Sequence, residues 1–185
     1  QYLLSLINVT EMVEQSKKYK HNAMYDNLTQ IYNRHKLNEI IVEKLKKAEL
    51  LENKFSFVIL DIDHFKIVND TYGHLVGDDV LIHLSEIIKE QIRDTDVFAR
   101  WGGEEFVLLL SDVNIDTASE IADKLRVKIE LEYFVEVNNI TCSFGVSSYE
   151  KNDTIDTITN RADKALYEAK ESGRNKVCKL ITKVE

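Results

Sequence analysis

The chain has 185 residues, 44% of them hydrophobic, which is enough for one full core and too few for two ordinary domains. A formal net charge of −8 argues against a protein that wraps nucleic acid, since that task needs a basic face, so any phosphate ligand has to be met locally by a metal or a few chosen cations. Cys142 and Cys178 lack the spacing of a metal site or disulfide framework, which points to a reducing, cytoplasmic setting, and no apolar run approaches the roughly 18 residues of a membrane span.

Tyr2 to Val9 (YLLSLINV) reads as a short buried strand, followed by a polar helical stretch from Glu11 to Met24. Met12, Tyr19 and Ala23 follow a loose heptad there, so the stretch is either a solvated connector or a dimerising stalk. From Asp26 the texture changes, and Leu37, Ile40, Ile41, Leu45, Ala48 and Leu51 recur on one helical face. Phe55 to Asp61 (FSFVILD) is an apolar run ended by a carboxylate, as expected of a central strand buried on both faces. A helix is predicted from Asp78 to Ile92, with Leu81, Leu84 and Ile88 on one stripe. Val97 to Trp101 and Glu105 to Leu110 are β-rich and separated by Gly102 and Gly103, a hairpin signal. Thr117 with Glu120 has the pattern of a capping box opening a helix whose core face is Ile121, Ala122, Leu125 and Ile129. Ile140 to Ser147 reads as a strand, Thr154 to Glu171 as a helix, and Lys176 to Leu180 as a closing strand, with Gly173 at the helix C-terminus. The order predicts an α+β fold of ferredoxin-like kind, with a mostly antiparallel central sheet flanked by helices and an N-terminal linker helix.

Three clusters hold residues suited to chemistry. The first is Asp61, Asp63, Lys66, Asn69, Asp70, His74 and Asp78, within eighteen positions after the central strand. Carboxylates at strand ends are natural Mg²⁺ ligands, though aspartates in a solvated loop also serve as helix caps. The second is Gly102-Gly103-Glu104-Glu105, where two glycines permit a tight turn that projects a carboxylate. If the hairpin lies beside the Phe55 to Asp61 strand, Asp61 and Glu104 can converge on one metal, the minimal kit for nucleotidyl transfer. The third is Lys170 and Arg174, which either contact phosphates or complement the negative end of the last helix.

Together these segments resemble the GGDEF family of diguanylate cyclases. The resemblance spans Asp26 to Lys176 and rests on DNLTQIYNR, DIDHFKIVNDTYGHLVGD, RWGGEEF, ITCSFGVS and RADKALYEAKESGRN, with GGEEF in place of GGDEF. It implies a linker over residues 1–25 and a cyclase domain over 26–185 that condenses two GTP molecules into cyclic di-GMP. Asp61, Glu104 and the Ile62 carbonyl would hold Mg²⁺ or Mn²⁺, Glu104 would also draw the proton from the attacking hydroxyl, and Lys66 would steady the phosphates. Asn69 and Asp78 would read guanine, His74 and Phe65 would shape the nucleotide site, and Lys170 and Arg174 would hold the terminal phosphates. Arg93-Asp94-Thr95-Asp96 is similar to the family's RxxD inhibitory motif, implying product binding at Arg93 and Asp96. One nucleotide site per domain, against a product with two identical phosphodiester links, implies a homodimer. YLLSLINVTE resembles the closing strand of PAS domains, implying an upstream sensor. Three rivals remain: a non-catalytic receptor, a cyclase with another product, and a purely structural dimerisation module.

Overall fold

The computed structural model describes residues 12–13, 15–16, 18–51 and 54–181, so the expected strand at Tyr2 to Val9 lies outside the described residues. The described residues between 12 and 24 are helical, and Met12 and Tyr19 in that stretch are 70% and 75% exposed. From residue 34 onward the elements run α1 (Arg34–Leu51), β1 (Phe55–Ile62), α2 (Phe65–Tyr72), α3 (His74–Gln91), β2 (Val97–Gly102), β3 (Glu105–Ser111), α4 (Ile115–Leu131), β4 (Cys142–Ser148), α5 (Ile155–Glu171) and β5 (Val177–Lys179).

The described strands form a five-stranded sheet in the order β2-β3-β1-β4-β5. β1 is antiparallel to both β3 and β4, β2 and β3 form the hairpin, and only β4 with β5 is parallel. β1 is buried along its whole length, as its continuous apolar run requires, and alternate residues feed two cores. Phe55, Phe57 and Ile59 pack with Leu37 and Ile41 of α1 and Ile158, Ala162 and Leu166 of α5. Val58, Leu60 and Ile62 pack on the other face with Leu81, Leu84 and Ile88 of α3 and Ala118, Ala122 and Leu125 of α4. Asp61 continues the first series and so emerges on the face covered by α5. That helix lies unusually close to the sheet: a Cβ on Gly145 of β4 would stand 2.1 Å from the Ala162 carbonyl oxygen.

Three boundaries differ from the sequence expectation. α3 begins at His74, not Asp78, and the polar stretch before it holds the separate helix α2. Gly73, at φ +86°, both ends α2 and precedes α3 without any side-chain cap, leaving no capping signal to read. α4 starts at Ile115, because Asn114 Oδ1 accepts from the Thr117 N–H at 2.9 Å, so Thr117 is capped rather than capping and the Thr117/Glu120 box does not form. α5 does open on Thr154, which forms a reciprocal capping box with Thr157, and Gly173 follows its C-cap Ser172 at φ +110°.

Candidate active site at the end of the central strand

The register of the sheet sets the centre of the site. Asp61 pairs with Glu105 on β3 and with Ser143 on β4, and Glu104 is the turn residue just before Glu105. The turn is braced from behind. Arg100 donates to the Gly103 carbonyl through Nε at 3.0 Å and Nη2 at 2.8 Å, and to Asp26 Oδ1 through Nη1 at 3.1 Å. Asp26 Oδ1 also accepts from the N–H and hydroxyl of Thr29, at 2.9 and 2.8 Å. Burial alone would raise the Asp26 pKa, but the bonds from Thr29 and Arg100 outweigh it and hold the carboxyl below its ordinary value. Gly103, at φ +52°, takes the left-handed conformation the turn demands.

Asp61 is only 6% exposed and is met by Lys170 of α5, whose Nζ lies 2.8 Å from Oδ2. Burial still raises the Asp61 pKa, Lys170 opposes the rise, and the charges of Glu104 and Asp63 add to it. Glu105 is likewise raised, by burial first and then by Asp61. Asp61 and Glu104 thus lie within electrostatic reach of each other, and acidic charge outnumbers basic charge at this point. Among the described residues, no three His, Cys, Asp or Glu side chains form a ready metal cage. The donor set nevertheless suits a hard cation, because crowded carboxylates with raised pKa values are relieved by positive charge and a triphosphate would supply further oxygens.

Asp63 differs from Asp61 in kind. Its carboxylate accepts from Ser143 Oγ at 2.7 Å, Thr141 Oγ1 at 2.7 Å and the Asn175 N–H at 3.0 Å, so its oxygens are spent on the protein. Buried Cys142 beside it is no nucleophile, since burial, with the charges of Asp63 and Asp61, pushes its thiol far up.

A second group of residues gathers where α2 meets α3. Lys66 is exposed on the first turn of α2, His74 is exposed at the start of α3, and half-buried Asp78 follows one turn later. Asn69 is half-buried, and its side chain lies over the α3 backbone at Gly77, where a Cβ would stand 2.0 Å from Asn69 Oδ1 and 3.3 Å from Phe65 Cζ. Phe65, 6% exposed, is therefore core beneath this group rather than a surface contact. Arg174 takes φ +59° in the loop after α5, half-buried beyond Lys170.

Arg93 and Asp96 stand apart. Asp96 Oδ1 accepts from the N–H of Ser111 at 3.0 Å, and Ser111 pairs with Phe55 at the opposite end of β1 from Asp61, roughly 20 Å away at about 3.3 Å per residue. Asp96 Oδ2 accepts from the Arg93 N–H at 3.2 Å, closing the turn, while the Arg93 side chain is exposed. Cavities of about 210 and 270 Å³ are each lined by both residues. A cavity of about 920 Å³ lies between α4 and the approach to β5, lined by Asp116, Lys124, Arg126, Asn175 and Lys176 among others, and shares Lys124 with the smaller cavity at Arg93 and Asp96.

The resemblance pointed to Asp61, Glu104, Lys170, Asn69 and Asp78. It passed over the bracing by Asp26 and Arg100, the spent carboxylate of Asp63 and the clearance at Gly77. Asp26, Arg100 and Asp63 all lie inside quoted motifs, but the bond of Arg100 to Asp26 and those of Asp63 to Thr141, Ser143 and Asn175 join positions distant in sequence.

A mostly antiparallel sheet with an acid-rich centre at the end of its middle strand, beside a glycine hairpin, defines a domain of the nucleotidyl-cyclase type. The chain belongs to the GGDEF domain family: residues 23–176 match the family described as diguanylate cyclase, GGDEF domain. It is 36% identical over 170 residues to diguanylate cyclase DgcM of Escherichia coli K12, a match covering 92% of this chain and 42% of DgcM. Among solved structures it is similar to the coiled coil and GGDEF domain of DgcB from Caulobacter crescentus in complex with c-di-GMP, with TM-score 0.87, 27% identity and 95% of each chain covered. The active GGEEF domain of a diguanylate cyclase from Vibrio cholerae matches with TM-score 0.77 and 37% identity, over 81% of this chain and 97% of that one. The chain spans between 27% and 54% of the length of the curated relatives it matches, 47% of YhcK of Bacillus subtilis for example. No described helix is long and apolar enough to cross a membrane.

Proposed function

We propose that the chain condenses two GTP molecules into cyclic di-GMP, in the cytoplasm, as a homodimer with one GTP and one divalent cation, Mg²⁺ or Mn²⁺, in each half-site. Each 3′-hydroxyl attacks the α-phosphorus of the facing GTP, forming one P–O bond as the bond to the β-phosphate oxygen breaks, so that two pyrophosphates leave per cyclic product. Asp61, Glu104 and the Ile62 carbonyl hold the cation, which neutralises charge on the phosphates when bound. Glu104 accepts the proton of the attacking hydroxyl. Lys66 steadies charge on the reacting phosphate, and Lys170 with Arg174 holds the terminal phosphates. Lys170 pairs with Asp61 in the absence of nucleotide, and a cation held by Asp61 and Glu104 would supply the charge that leaves its ammonium available to phosphate. Asp78 accepts from the ring N–H and exocyclic amine of guanine, a pairing adenine does not offer, and Asn69 completes that recognition over a floor of Phe65, with His74 at the rim. Arg93 and Asp96 bind product as an inhibitory site. The helical residues before Asp26 set the distance between half-sites and connect to an upstream sensor.

What supports this reading most directly is the crowding of Asp61 by Glu104 and Glu105, with Lys170 as its ion-pair partner, at the end of a rigid buried strand. The test is incubation with GTP, ATP or both in the presence of Mg²⁺, with products identified by mass. Cyclic di-GMP is expected from GTP alone, none from ATP, and none from Glu104→Ala, while Arg93→Ala keeps turnover and loses product inhibition. Equal turnover by Glu104→Ala would remove the mechanism.

A further inference from the structure

Asp63 ties together three segments distant in sequence. It accepts from Thr141 and Ser143 at the entrance to β4, and its Oδ2 accepts the Asn175 N–H across 112 residues at 3.0 Å. Asn175 is held on its other side by α4, since its Oδ1 accepts from Arg126 Nη1 at 3.0 Å and its Nδ2 donates to Glu130 Oε1 at 2.8 Å. Arg126 Nη1 also reaches Glu130 Oε2 at 2.8 Å, which closes the network. The backbone between α5 and Asn175 is unusual. Gly173, Arg174 and Asn175 take φ values of +110°, +59° and +46° in succession. Residues with a Cβ avoid this region unless their surroundings hold them there.

These bonds sit between the two halves of the proposed nucleotide site. Asp63 is two residues beyond Asp61, Asn175 is the residue after Arg174, and the Arg174 N–H donates to the Ala169 carbonyl, beside Lys170. We infer that Asp63 is a positioning residue: its bond to Asn175 holds the 173–175 reversal, and with it Lys170 and Arg174, at a fixed distance from Asp61, so that one triphosphate spans both. The inference rests on the reading that Lys170 and Arg174 take the terminal phosphates. The carboxylate suits this task because it accepts from three donors without offering a competing donor of its own.

The readout is the ratio of affinities for 3′-deoxy-GTP, which lacks the attacking hydroxyl, and GMP, which lacks the terminal phosphates, measured with Mg²⁺ by titration calorimetry. Asp63→Asn and Asn175→Ala should each lower that ratio by about ten-fold, the equivalent of one lost hydrogen bond to a charged group, while GMP affinity holds. Ser147→Ala is the stability control, because it removes a buried bond of 2.9 Å to the Ile158 carbonyl farther along β4 without touching the loop. It should lower the melting temperature and leave the ratio alone. An unaltered ratio in Asp63→Asn, or an equal fall in Ser147→Ala, overturns the positioning role. Arg174→Ala separates the two levels of the reasoning. An unchanged ratio in that variant overturns the phosphate reading on which the inference rests, whereas a changed ratio there beside an unchanged one in Asp63→Asn overturns the positioning role alone.

Discussion

Gly77→Ala isolates guanine recognition from the stability of the domain. The added Cβ would stand 2.0 Å from Asn69 Oδ1 and 3.1 Å from its Cγ, against an ordinary contact of about 3.4 Å or more, so the amide has to swing away by more than an ångström. The amide is the free end of a side chain, and the fold can absorb the movement. Alanine also gains up to about 1 kcal/mol of helix propensity over glycine inside α3, which offsets most of the strain, so the melting temperature should change little. Binding is affected differently. If Asn69 reads the base, losing one net hydrogen bond of about 1 to 1.5 kcal/mol raises KM for GTP by roughly ten-fold. The assay is steady-state cyclisation together with thermal unfolding, run on Gly77→Ala, Asn69→Ala and the double variant. Once Asn69 is truncated, the new methyl meets only Phe65 Cζ at 3.3 Å, a contact that yields within a few tenths of an ångström, so the double variant should match Asn69→Ala closely in KM. Additive KM losses in the double variant, or an unchanged KM in Gly77→Ala, would refute the placement of Asn69 at the base.

Two other expectations concern charge. Because the folded pKa values of Asp61 and Glu105 are raised, the metal-free domain binds extra protons when folded: the stability from these groups is full below the ordinary carboxylate pKa, about 4, and is lost as pH rises through the folded values. Mg²⁺ should therefore raise the melting temperature more at pH 7.5 than at pH 5, and a metal effect independent of pH would contradict the assignment. Arg100→Lys replaces a planar fork by a single ammonium that cannot serve both the Gly103 carbonyl and Asp26, and should lower kcat by about ten-fold with little change in KM; an unaltered kcat means the turn needs no brace.

How much of this was legible in the sequence depended on whether the deciding interaction was local. The apolar run of β1, the glycine hairpin and the stripe of α1 announce themselves, since burial on two faces, a left-handed turn and a helical period each leave a pattern within a few residues. α2 and the true start of α3 left none: His64 at φ +59° and Gly73 at φ +86° precede them without side-chain caps, so the stretch read as a polar loop. Asn114 and Thr117 are both good capping residues, and only the backbone decides between them. The family motifs supplied the carboxylates but not their differing duties. Asp61 and Asp63 look equivalent as letters, yet at the strand end they meet different partners, Lys170 for the one and donors from β4 and the 175 loop for the other.

The same division explains why the site combines rigidity with a point of adjustment. Asp61 rides on the most buried strand of the sheet, whereas Glu104 rides on a turn whose conformation depends on Arg100, and Arg100 depends in part on Asp26. Asp26 follows the helical residues 18–24 after Tyr25, and the backbone carbonyl of Tyr32 accepts the Arg100 N–H at 2.9 Å while its ring stacks on Tyr25 with centroids 5.1 Å apart. The N-terminal segment is thus joined to the Glu104 turn by directional polar bonds and by the stacked rings of His21, Tyr25 and Tyr32, alongside the packing of Leu28, Ile31 and Tyr32 against the two apolar cores. A core resists small displacements because its packing is dense, but a bond of this kind is lost within a fraction of an ångström or a modest change of angle. A change in the direction of the helix thus has a direct polar route to Glu104 through Asp26 and Arg100, beside the packing of Leu28, Ile31 and Tyr32 against the cores that hold β1.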